Sequence, residues 1–365
     1  MKRHNRLKKH TLGLAAALLV TAGMSQIALA GDSVYVNTSS LRYRTSAQIK
    51  DNNIAGNLSY GQKLERVGTS GQWTMILLNG KKYYVSSAYV TSKKPASAGA
   101  VQTTSQTAAG AQTSGGTEIA LSSNYKYANY SKINSGTATL YRSTASNKKN
   151  KVVCVNAGHG TNGGGSVKTQ CHPDGSAKVT GGTTGAGATS AVAVSSGMTF
   201  ADGTAESKVT LAMAKVLKTK LLNAGYDVLM IRDGEDVQLD NIARSVIANN
   251  AADCHIALHW DSTTSNKGAF YMSVPDVASY KNMEPVKSHW QQHNALGASL
   301  VEGLKSAGVK IFSGGSMAMD LTQTSYSTVP SVDIELGDKA SDHSQSTLNQ
   351  LGDGLVAGVK AYFGQ

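Results

Sequence analysis

Two histidines and two glutamates occupy positions where their side chains can meet and do chemistry. His159, His259 and Glu335 each stand at the end of a short apolar segment that is typical of a buried strand, and Glu206 opens a segment with helical periodicity. The carboxyl ends of parallel strands and the starts of the helices that follow them share one edge of a sheet. The sequence therefore predicts that these four side chains converge at one edge.

The set of His159, Glu206 and His259 has the composition of a catalytic zinc site. Such sites use three protein ligands and keep a fourth position for water. Zinc lowers the pKa of that water to about 7 and polarises a carbonyl, so amide hydrolysis needs one further free carboxylate. Glu335 is the candidate, because it can take the proton of the water and pass it to the leaving amine. Taken singly, a strand-end histidine is more often structural, and a first-turn glutamate is favoured by the helix dipole alone.

Three other histidines are weaker candidates for a metal site. His289 and His293 lie four residues apart in His-Trp-Gln-Gln-His, but the glutamate of the His-Glu-x-x-His motif is missing. An exposed helix face is the favoured interpretation. His255 shares a strand face with His259, yet four residues of strand separate them by about 13 Å, too far for one metal. We expect His255 either to pack internally or to support a metal ligand from behind.

Residues 151–365 alternate strand and helix patterns, which is typical of one α/β domain with a mostly parallel sheet flanked by helices. The strands are predicted at 151–157, 227–231, 255–259, 268–274 and 331–336, and the helices at 206–223, 238–249, 286–306 and 344–363. The segment between the first strand and the first helix is rich in Gly, Thr, Ser and Ala and far longer than an ordinary connection. We expect it to border the cleft and to gate or shape substrate access.

The chain before residue 151 is predicted to hold a second domain and a tether. Residues 31–92 contain short β-like segments separated by turn residues, including the hairpin signal Asn79-Gly80. This spacing predicts a small all-β barrel of about 60 residues. Residues 93–150 form a flexible Ser/Thr/Ala/Gly linker followed by a tyrosine-containing stretch, a candidate strap on the next domain.

Residues 1–30 have the layout of a secretory signal peptide. Five basic residues precede an apolar run, and Ala28-Leu29-Ala30 predicts cleavage before Gly31. A retained membrane anchor over residues 12–30 is the alternative, but polar residues interrupt that run. We therefore expect a secreted protein with no stable membrane anchor once the signal is removed.

The net charge of the chain indicates which kinds of partner it can bind. The formal net charge is +12, and without the five basic residues of the signal it is +7. This charge suits the vicinity of an anionic wall polymer, whereas nucleic acid is disfavoured because the lysines are scattered with few aromatics among them.

Three cysteines do not make a disulfide framework. Cys154 and Cys254 are either buried thiols or a bridge between neighbouring strands, and Cys171 lies in a polar loop.

Four motifs carry a specific resemblance over residues 151–365. They are Val155-Asn156-Ala157-Gly158-His159-Gly160, Ala205-Glu206-Ser207, Ile256-Ala257-Leu258-His259-Trp260-Asp261-Ser262 and Val329-Pro330-Ser331-Val332-Asp333-Ile334-Glu335-Leu336-Gly337. In this order they resemble the signatures of the zinc-dependent N-acetylmuramoyl-L-alanine amidases. The resemblance implies that His159, Glu206 and His259 bind zinc and that Glu335 is catalytic. The implied reaction is hydrolysis of the amide between N-acetylmuramic acid and L-alanine of the peptidoglycan stem peptide.

Several positions depart from the pattern of that family. Asn156-Ala157 replaces the usual Asp-Pro, Asp261 replaces an Asn, and Asp338 opens a continuation that lacks the usual apolar residue and Asn. None of these changes removes a ligand. Asp333 stands where the family is usually apolar, and it shares a strand face with Glu335. There it can bind substrate or raise the pKa of Glu335, although a hydrogen-bonded buried aspartate is the simpler interpretation.

The N-terminal segments are similar to the bacterial SH3-like wall-targeting module. The matching pieces run in order from Leu41-Arg42-Tyr43-Arg44 through residues 54–61 and Gly71-Gln72-Trp73 to residues 80–90. This resemblance implies a domain that holds a secreted, wall-associated enzyme near peptidoglycan. Two alternatives stay open: a non-catalytic cell-wall-binding or regulatory protein that keeps the amidase fold, and a zinc peptidase that cuts within the stem peptide.

Overall fold

The computed structural model describes residues 32–37, 40–48, 50, 53–59, 61–94 and 116–365. The predicted signal peptide and most of the low-complexity part of the predicted linker lie outside the described residues. The chain divides into two compact units between residues 107 and 108, and each unit is described by itself. Within the described ranges, no helix combines the length and the apolar character needed to cross a membrane.

The N-terminal unit consists of antiparallel strands, seven of them in its described part. They are β1 Asp32–Val36, β2 Ser40–Arg44, β3 Ile54–Ser59, β4 Lys63–Ser70, β5 Trp73–Leu78, β6 Lys81–Ser86 and β7 Val90–Thr91. Their order in the sheet is β3-β2-β6-β5-β4-β1-β7. The predicted Asn79-Gly80 hairpin joins β5 to β6, and both residues have the positive φ angles, 50° and 74°, that such a two-residue turn requires.

The C-terminal unit contains an eight-stranded sheet and a separate two-stranded hairpin within residues 116–365. The strands are β8 Thr117–Ala120, β9 Thr137–Tyr141, β10 Val152–Ala157, β11 Lys168–Gln170, β12 Ser190–Val192, β13 Asp227–Met230, β14 Cys254–Asp261, β15 Ala269–Ser273, β16 Ile311–Ala318 and β17 Ser331–Asp338. The sheet order is β16-β15-β17-β14-β10-β13-β9-β8. The central strands β17, β14, β10 and β13 are parallel, and antiparallel pairings to β15 and β9 flank them. The predicted α/β class is confirmed.

Helices cover both faces of this sheet. They are α1 Glu206–Asn223, α2 Asn241–Ala251, α3 Ala278–Lys281, α4 Val286–Ser306, α5 Thr322–Tyr326 and α6 Gln345–Phe363. Helices α1, α4 and α6 pack on one face and α2 on the other. Alternation along β10 shows why both faces are needed, because Val153 and Val155 enter the first core and Cys154 enters the second. A strand buried on both faces is apolar almost throughout, as β10 is.

Each predicted strand and helix of residues 151–365 is present with its ends shifted by three residues or fewer. Helix α2 begins at Asn241 rather than 238, because the Asp240 side chain accepts a hydrogen bond from the backbone N–H of Ala243 and caps the helix there. The stretch predicted as a strap supplies the edge strand β8 and its neighbour β9, so the compact unit begins before residue 151. Strand β16 was absent from the prediction, since Gly and Ser dominate its centre.

The three cysteines are buried free thiols. Cys154 pairs in register with His255, whereas Cys254 pairs with Val153. The two cysteines are therefore offset by one residue, which directs their side chains to opposite faces of the sheet. The proposed bridge between neighbouring strands does not form.

Candidate metal and catalytic centre

A tight turn after β10 carries His159. The φ angles of His159 and Gly160 are 63° and 69°, both in the left-handed region that glycine adopts readily. A Cβ atom at Gly158 would overlap the ring of His259. Gly158 therefore lets the imidazole from β14 lie directly against the turn, and this close approach brings the two histidines together.

Two buried arginines hold this turn through its carbonyl groups. Arg244 of α2 donates to the carbonyl oxygens of Ala157 (3.2 Å) and His159 (2.7 Å). Arg232 donates to the carbonyl oxygens of Ala157 (3.3 Å) and Gly158 (3.0 Å). Burial lowers the pKa of Arg232 to about 10 and that of Arg244 to about 9. Neither arginine was predicted from the sequence to support the site, although a charged residue among the apolar positions of α2 was a usable signal.

The ligand atoms of the three predicted metal-binding residues converge. His159 Nε2 lies 2.9 Å from Glu206 Oε1 and 3.0 Å from His259 Nδ1, and His259 Nδ1 lies 3.2 Å from Glu206 Oε1. Three atoms bound to zinc at about 2.0–2.1 Å in a tetrahedron lie about 3.3 Å apart. Within the described residues, this is the one group of three or more His, Cys, Asp or Glu that is compact enough to share an ion.

Hydrogen bonds orient two of these three side chains. His159 Nδ1–H donates to the carbonyl oxygen of Ser195 at 2.8 Å, so the lone pair of Nε2 faces the other two residues. Glu206 begins α1 and accepts two backbone N–H groups, from Met198 at 2.8 Å on Oε2 and from Trp260 at 3.0 Å on Oε1. The positive end of the helix dipole further favours its carboxylate form.

The charges of the centre shift the pKa values of its groups. Burial opposes ionisation of Glu206, but hydrogen bonds and charge from His159 and His259 outweigh it and hold the pKa of this carboxyl well below its usual range. Burial also opposes a charge on His259, yet the nearby carboxylates of Asp333, Glu206 and Glu335 raise its pKa to about 10. The metal-free centre therefore favours a proton on imidazole over a proton on Glu206.

Strand β17 supplies two further carboxyl groups. Glu335 lies opposite His259 in the parallel register, and Asp333 lies opposite Ala257. Because strand side chains alternate, both carboxyls share the sheet face of His259. Burial raises the pKa of each, and the charge of Asp333 raises that of Glu335 further. Asp333 Oδ1 and Glu335 Oε2 are buried and have no hydrogen-bond partner among the described residues.

These groups open into a cleft of about 490 Å³. Its walls come from the histidine and carboxylate centre, from Asp261 and Ser262, from residues 319–323 and from the long segment between β10 and α1. The predicted place of that segment beside the cleft is confirmed. Gly197, near its end, has a φ angle of 81°, and a Cβ there would lie 2.7 Å from His159 Cδ2 and 2.8 Å from Glu206 Oε2.

A buried charged cluster fastens the middle of that segment. Asp320 accepts hydrogen bonds from His172 Nε2 (2.9 Å) and the backbone N–H of Val179 (2.7 Å), and its Oδ1 lies 3.4 Å from Lys178 Nζ. Asp320 is fully buried and His172 is 1% exposed. Burial opposes the charge of Asp320, but the bond from His172 and the charge of Lys178 outweigh it and lower its pKa.

His293 and His255 lie in the core rather than in the cleft lining. The prediction of an exposed helix face is wrong for His293, which is 2% exposed because its Nδ1 accepts the backbone N–H of Ser331 at 2.9 Å. Burial lowers the pKa of His293 to about 3. The prediction that His255 packs internally is confirmed, since it is fully buried with Nδ1 3.3 Å from Ser331 Oγ.

The departures from the family pattern have local partners in the structure. Asn156 Oδ1 accepts a hydrogen bond from Arg244 at 3.0 Å, which ties the strand end to the same arginine that holds the turn. Asp261 forms an ion pair with Lys267, and Asp338 accepts the backbone N–H of Lys267 at 3.0 Å. These residues therefore organise the loop that follows β14.

Comparison with known proteins gives one family and several related folds. The model of the N-acetylmuramoyl-L-alanine amidase family (Amidase_3) matches residues 153–353. The amidase Ami1 from Mycobacterium smegmatis is 16% identical with a TM-score of 0.48, covering 60% of this chain and 99% of its own. AmiC2 of Nostoc punctiforme is 16% identical with a TM-score of 0.43, covering 60% and 99%. An amidase from Clostridium difficile 630 is 17% identical with a TM-score of 0.42, covering 59% and 97%. No curated protein matches.

Proposed function

The chain belongs to the N-acetylmuramoyl-L-alanine amidase family, whose model matches more than half of it, and on that premise we propose a zinc-dependent mechanism for its peptidoglycan amidase activity. The bond cleaved is the amide between N-acetylmuramic acid and L-alanine of the stem peptide. His159, Glu206 and His259 hold the metal, and Glu335 is the catalytic carboxylate. The observation that carries this proposal is the convergence of one carboxylate oxygen and two imidazole nitrogens within 3.2 Å of one another.

The donor set fits a zinc ion. Two imidazole nitrogens and one carboxylate oxygen are the ligand types of catalytic zinc sites with an open fourth position. His159 Nδ1 is occupied by the Ser195 carbonyl, which leaves Nε2 as the donor atom. Without a cation, the lone pairs of these atoms repel one another unless a proton lies between them. Bound zinc would supply a water of lowered pKa and a Lewis acid for the scissile carbonyl.

Glu335 is placed to move the proton that amide hydrolysis requires. Its carboxyl lies in register with His259 and lines the cleft. One of its oxygens has no hydrogen-bond partner among the described residues, so that oxygen is free to accept a proton. Burial and the charge of Asp333 raise the pKa of Glu335, which suits a group that must first take a proton and then release it to the leaving amine.

Digestion of purified peptidoglycan tests this function directly. We expect new N-terminal L-alanine and intact glycan strands in the muropeptide mass spectra, loss of release with a chelator, and recovery when zinc is added. Glu335→Gln should lower turnover by about 10²–10⁴-fold, because it removes the proton carrier. Zinc content should stay at the wild-type level in that variant. Glu235→Gln is the matched control, because Glu235 is exposed and lies outside the cleft lining.

Three other results of the same digestion would contradict the proposal. A different new N-terminal residue would identify a peptidase that cuts within the stem peptide. Bound zinc without any release that depends on Glu335 would indicate a wall-binding or regulatory protein. Release that survives metal removal would rule out the zinc mechanism while keeping the amidase activity.

For the N-terminal unit we propose an SH3-like domain that targets the secreted enzyme to the wall. Support comes from its short antiparallel strands, from its hairpin at Asn79-Gly80 and from the net charge of +7 after removal of a signal peptide. Peptidoglycan and anionic wall polymers are the proposed partners. Sedimentation with walls should retain Glu335→Gln full-length protein more strongly than the same variant beginning at residue 116. Equal retention would rule out this role.

A further inference from the structure

The third ligand side chain, His259, lacks the anchoring that the other two have. The ring nitrogen of His159 that points away from the centre donates to the Ser195 carbonyl, and Glu206 accepts two backbone N–H groups. In His259, Nδ1 faces the centre and Nε2 points away from it. Within the described residues, that Nε2 forms an ion pair with Asp333, whose Oδ2 lies 3.7 Å away.

Asp333 is itself short of partners. Its Oδ1 is buried without a hydrogen bond, and in the described part of the chain its side chain forms one ion pair, the contact with His259. Leaving a buried carboxyl oxygen unpaired costs about 1–3 kcal/mol. The simpler interpretation of Asp333, a carboxylate already satisfied by hydrogen bonds, therefore does not hold.

The register of the sheet explains how Asp333 reaches His259. Strands β14 and β17 run parallel, with His259 opposite Glu335 and Ala257 opposite Asp333. Asp333 is thus the diagonal neighbour of His259 on the same face of the sheet. Side chains at diagonal positions on adjacent strands can still contact each other. Glu335 occupies the position directly opposite. The two carboxylates therefore approach the imidazole from different directions.

We propose that Asp333 is the positioning residue of His259. Its carboxylate lies 3.7 Å from Nε2 and electrostatically favours the proton on that nitrogen, which fixes the tautomer whose Nδ1 lone pair faces His159 Nε2 and Glu206 Oε1. This inference rests on the proposed zinc site and adds a residue that the family pattern does not supply, since an apolar side chain is usual there. A carboxylate behind a metal-binding histidine orients its ring and increases its basicity.

Zinc affinity distinguishes this role from others. Metal-free protein is titrated against a zinc-binding chromophore, with no substrate present. We expect Asp333→Leu to weaken zinc binding by about 10–100-fold and Asp333→Asn, which keeps an acceptor oxygen without the charge, to weaken it less. Glu335→Gln is the matched control, because it removes a carboxylate from the same strand face without removing the partner of Nε2. Its affinity should stay within about 3-fold of wild type.

The outcomes separate this inference from the proposed function. Affinity of Asp333→Leu within about 3-fold of wild type, or an equal loss in Glu335→Gln, overturns the positioning role while the zinc site stands. Wild-type protein that binds no zinc overturns the proposed mechanism itself. Thermal unfolding of each metal-free variant shows that it is folded, and if Asp333→Leu does not fold, Asp333→Asn decides the question by the same criterion.

Discussion

The two halves of the catalytic centre are held in opposite ways. In the ligand half, the turn around His159 is fixed by two arginines, and Glu206 is fixed by two backbone N–H groups. In the carboxylate half, Glu335 is buried and Asp333 is largely buried, and each keeps an oxygen without a hydrogen-bond partner among the described residues. Two of the three side chains in the first half are thus anchored by hydrogen bonds, whereas each carboxyl of the second half keeps one oxygen unpaired.

This difference matches two kinds of task, holding a ligand in place and exchanging a proton. Groups that must stand still are held by backbone atoms, whose places are set by the fold, so little reorganisation is needed when an ion arrives. A group that must exchange a proton needs a free lone pair, and burial without a partner keeps it free at a cost of about 1–3 kcal/mol in stability. In the proposed mechanism, the centre therefore combines two anchored ligands with a proton carrier that keeps an unpaired oxygen.

Removing Arg244 is the strongest way to break the ligand half. Arg244→Ala removes the arginine donors to the His159 carbonyl and to the Asn156 side chain, both in the interior, so we expect a loss of about 3 kcal/mol in the free energy of unfolding. Urea denaturation measures it. Arg142→Ala is the control, since Arg142 is largely exposed in its pair with Asp227 and should cost no more than about 1 kcal/mol. Equal losses in the two variants would show that the turn does not depend on Arg244.

The dependence of stability on pH in the metal-free protein tests the contrast between the ligand half and the carboxylate half. The folded pKa of Glu335 is raised above its ordinary value of 4.5, so its contribution to stability is fully present below that pH and is lost as pH rises towards the folded pKa. Glu335→Gln should gain about 1–3 kcal/mol relative to wild type between pH 4 and pH 7.5. Thermal unfolding with a chelator measures this difference.

For Glu206 we expect the opposite dependence of stability on pH in the same experiment. Its folded pKa is lowered, so its stabilising contribution is present above the ordinary value of 4.5 and is lost as pH falls through the folded pKa. Glu206→Gln should therefore be less stable than wild type at pH 7.5 and approach it at low pH. Parallel curves for the Glu335 and Glu206 variants would contradict the contrast between the two halves.

The smallest expected effect concerns the wall of the cleft. Asp320→Asn keeps the shape of the side chain but leaves His172 and Lys178 without their carboxylate, so hydrogen exchange at residues 171–180 should quicken. We expect a change in global stability of about 1–2 kcal/mol and unchanged zinc content. Asp353→Asn is the control, because Asp353 forms an exposed pair with Lys220. Unchanged exchange at 171–180 would show that Asp320 does not fasten the segment.

The strands that carry the site were predictable, because β-branched runs that end in glycine or histidine mark buried parallel strands. Helix α4 was predicted at its observed bounds, 286–306, by its length and periodicity. Strands β8, β9 and β16, at the two ends of the sheet order, were not predicted, since the first two are short and partly polar and the third has Gly and Ser at its centre.

The contacts that support the site could not be predicted from the sequence, for a different reason. Arg232 and Arg244 bind backbone carbonyls, and any residue type provides a carbonyl, so no pairing signal exists in the sequence. The burial of His293 follows from its bond to the backbone N–H of Ser331, a contact across 38 residues that leaves no mark on its own helix pattern.

Gly197 belongs to the long segment that forms a wall of the cleft, and it lies so close to His159 and Glu206 that any side chain there would overlap them. One stretch of chain thus lines the cleft and also packs against two of the proposed metal ligands. An exchange of this segment between related enzymes would succeed only if the glycine and its left-handed backbone travelled with it.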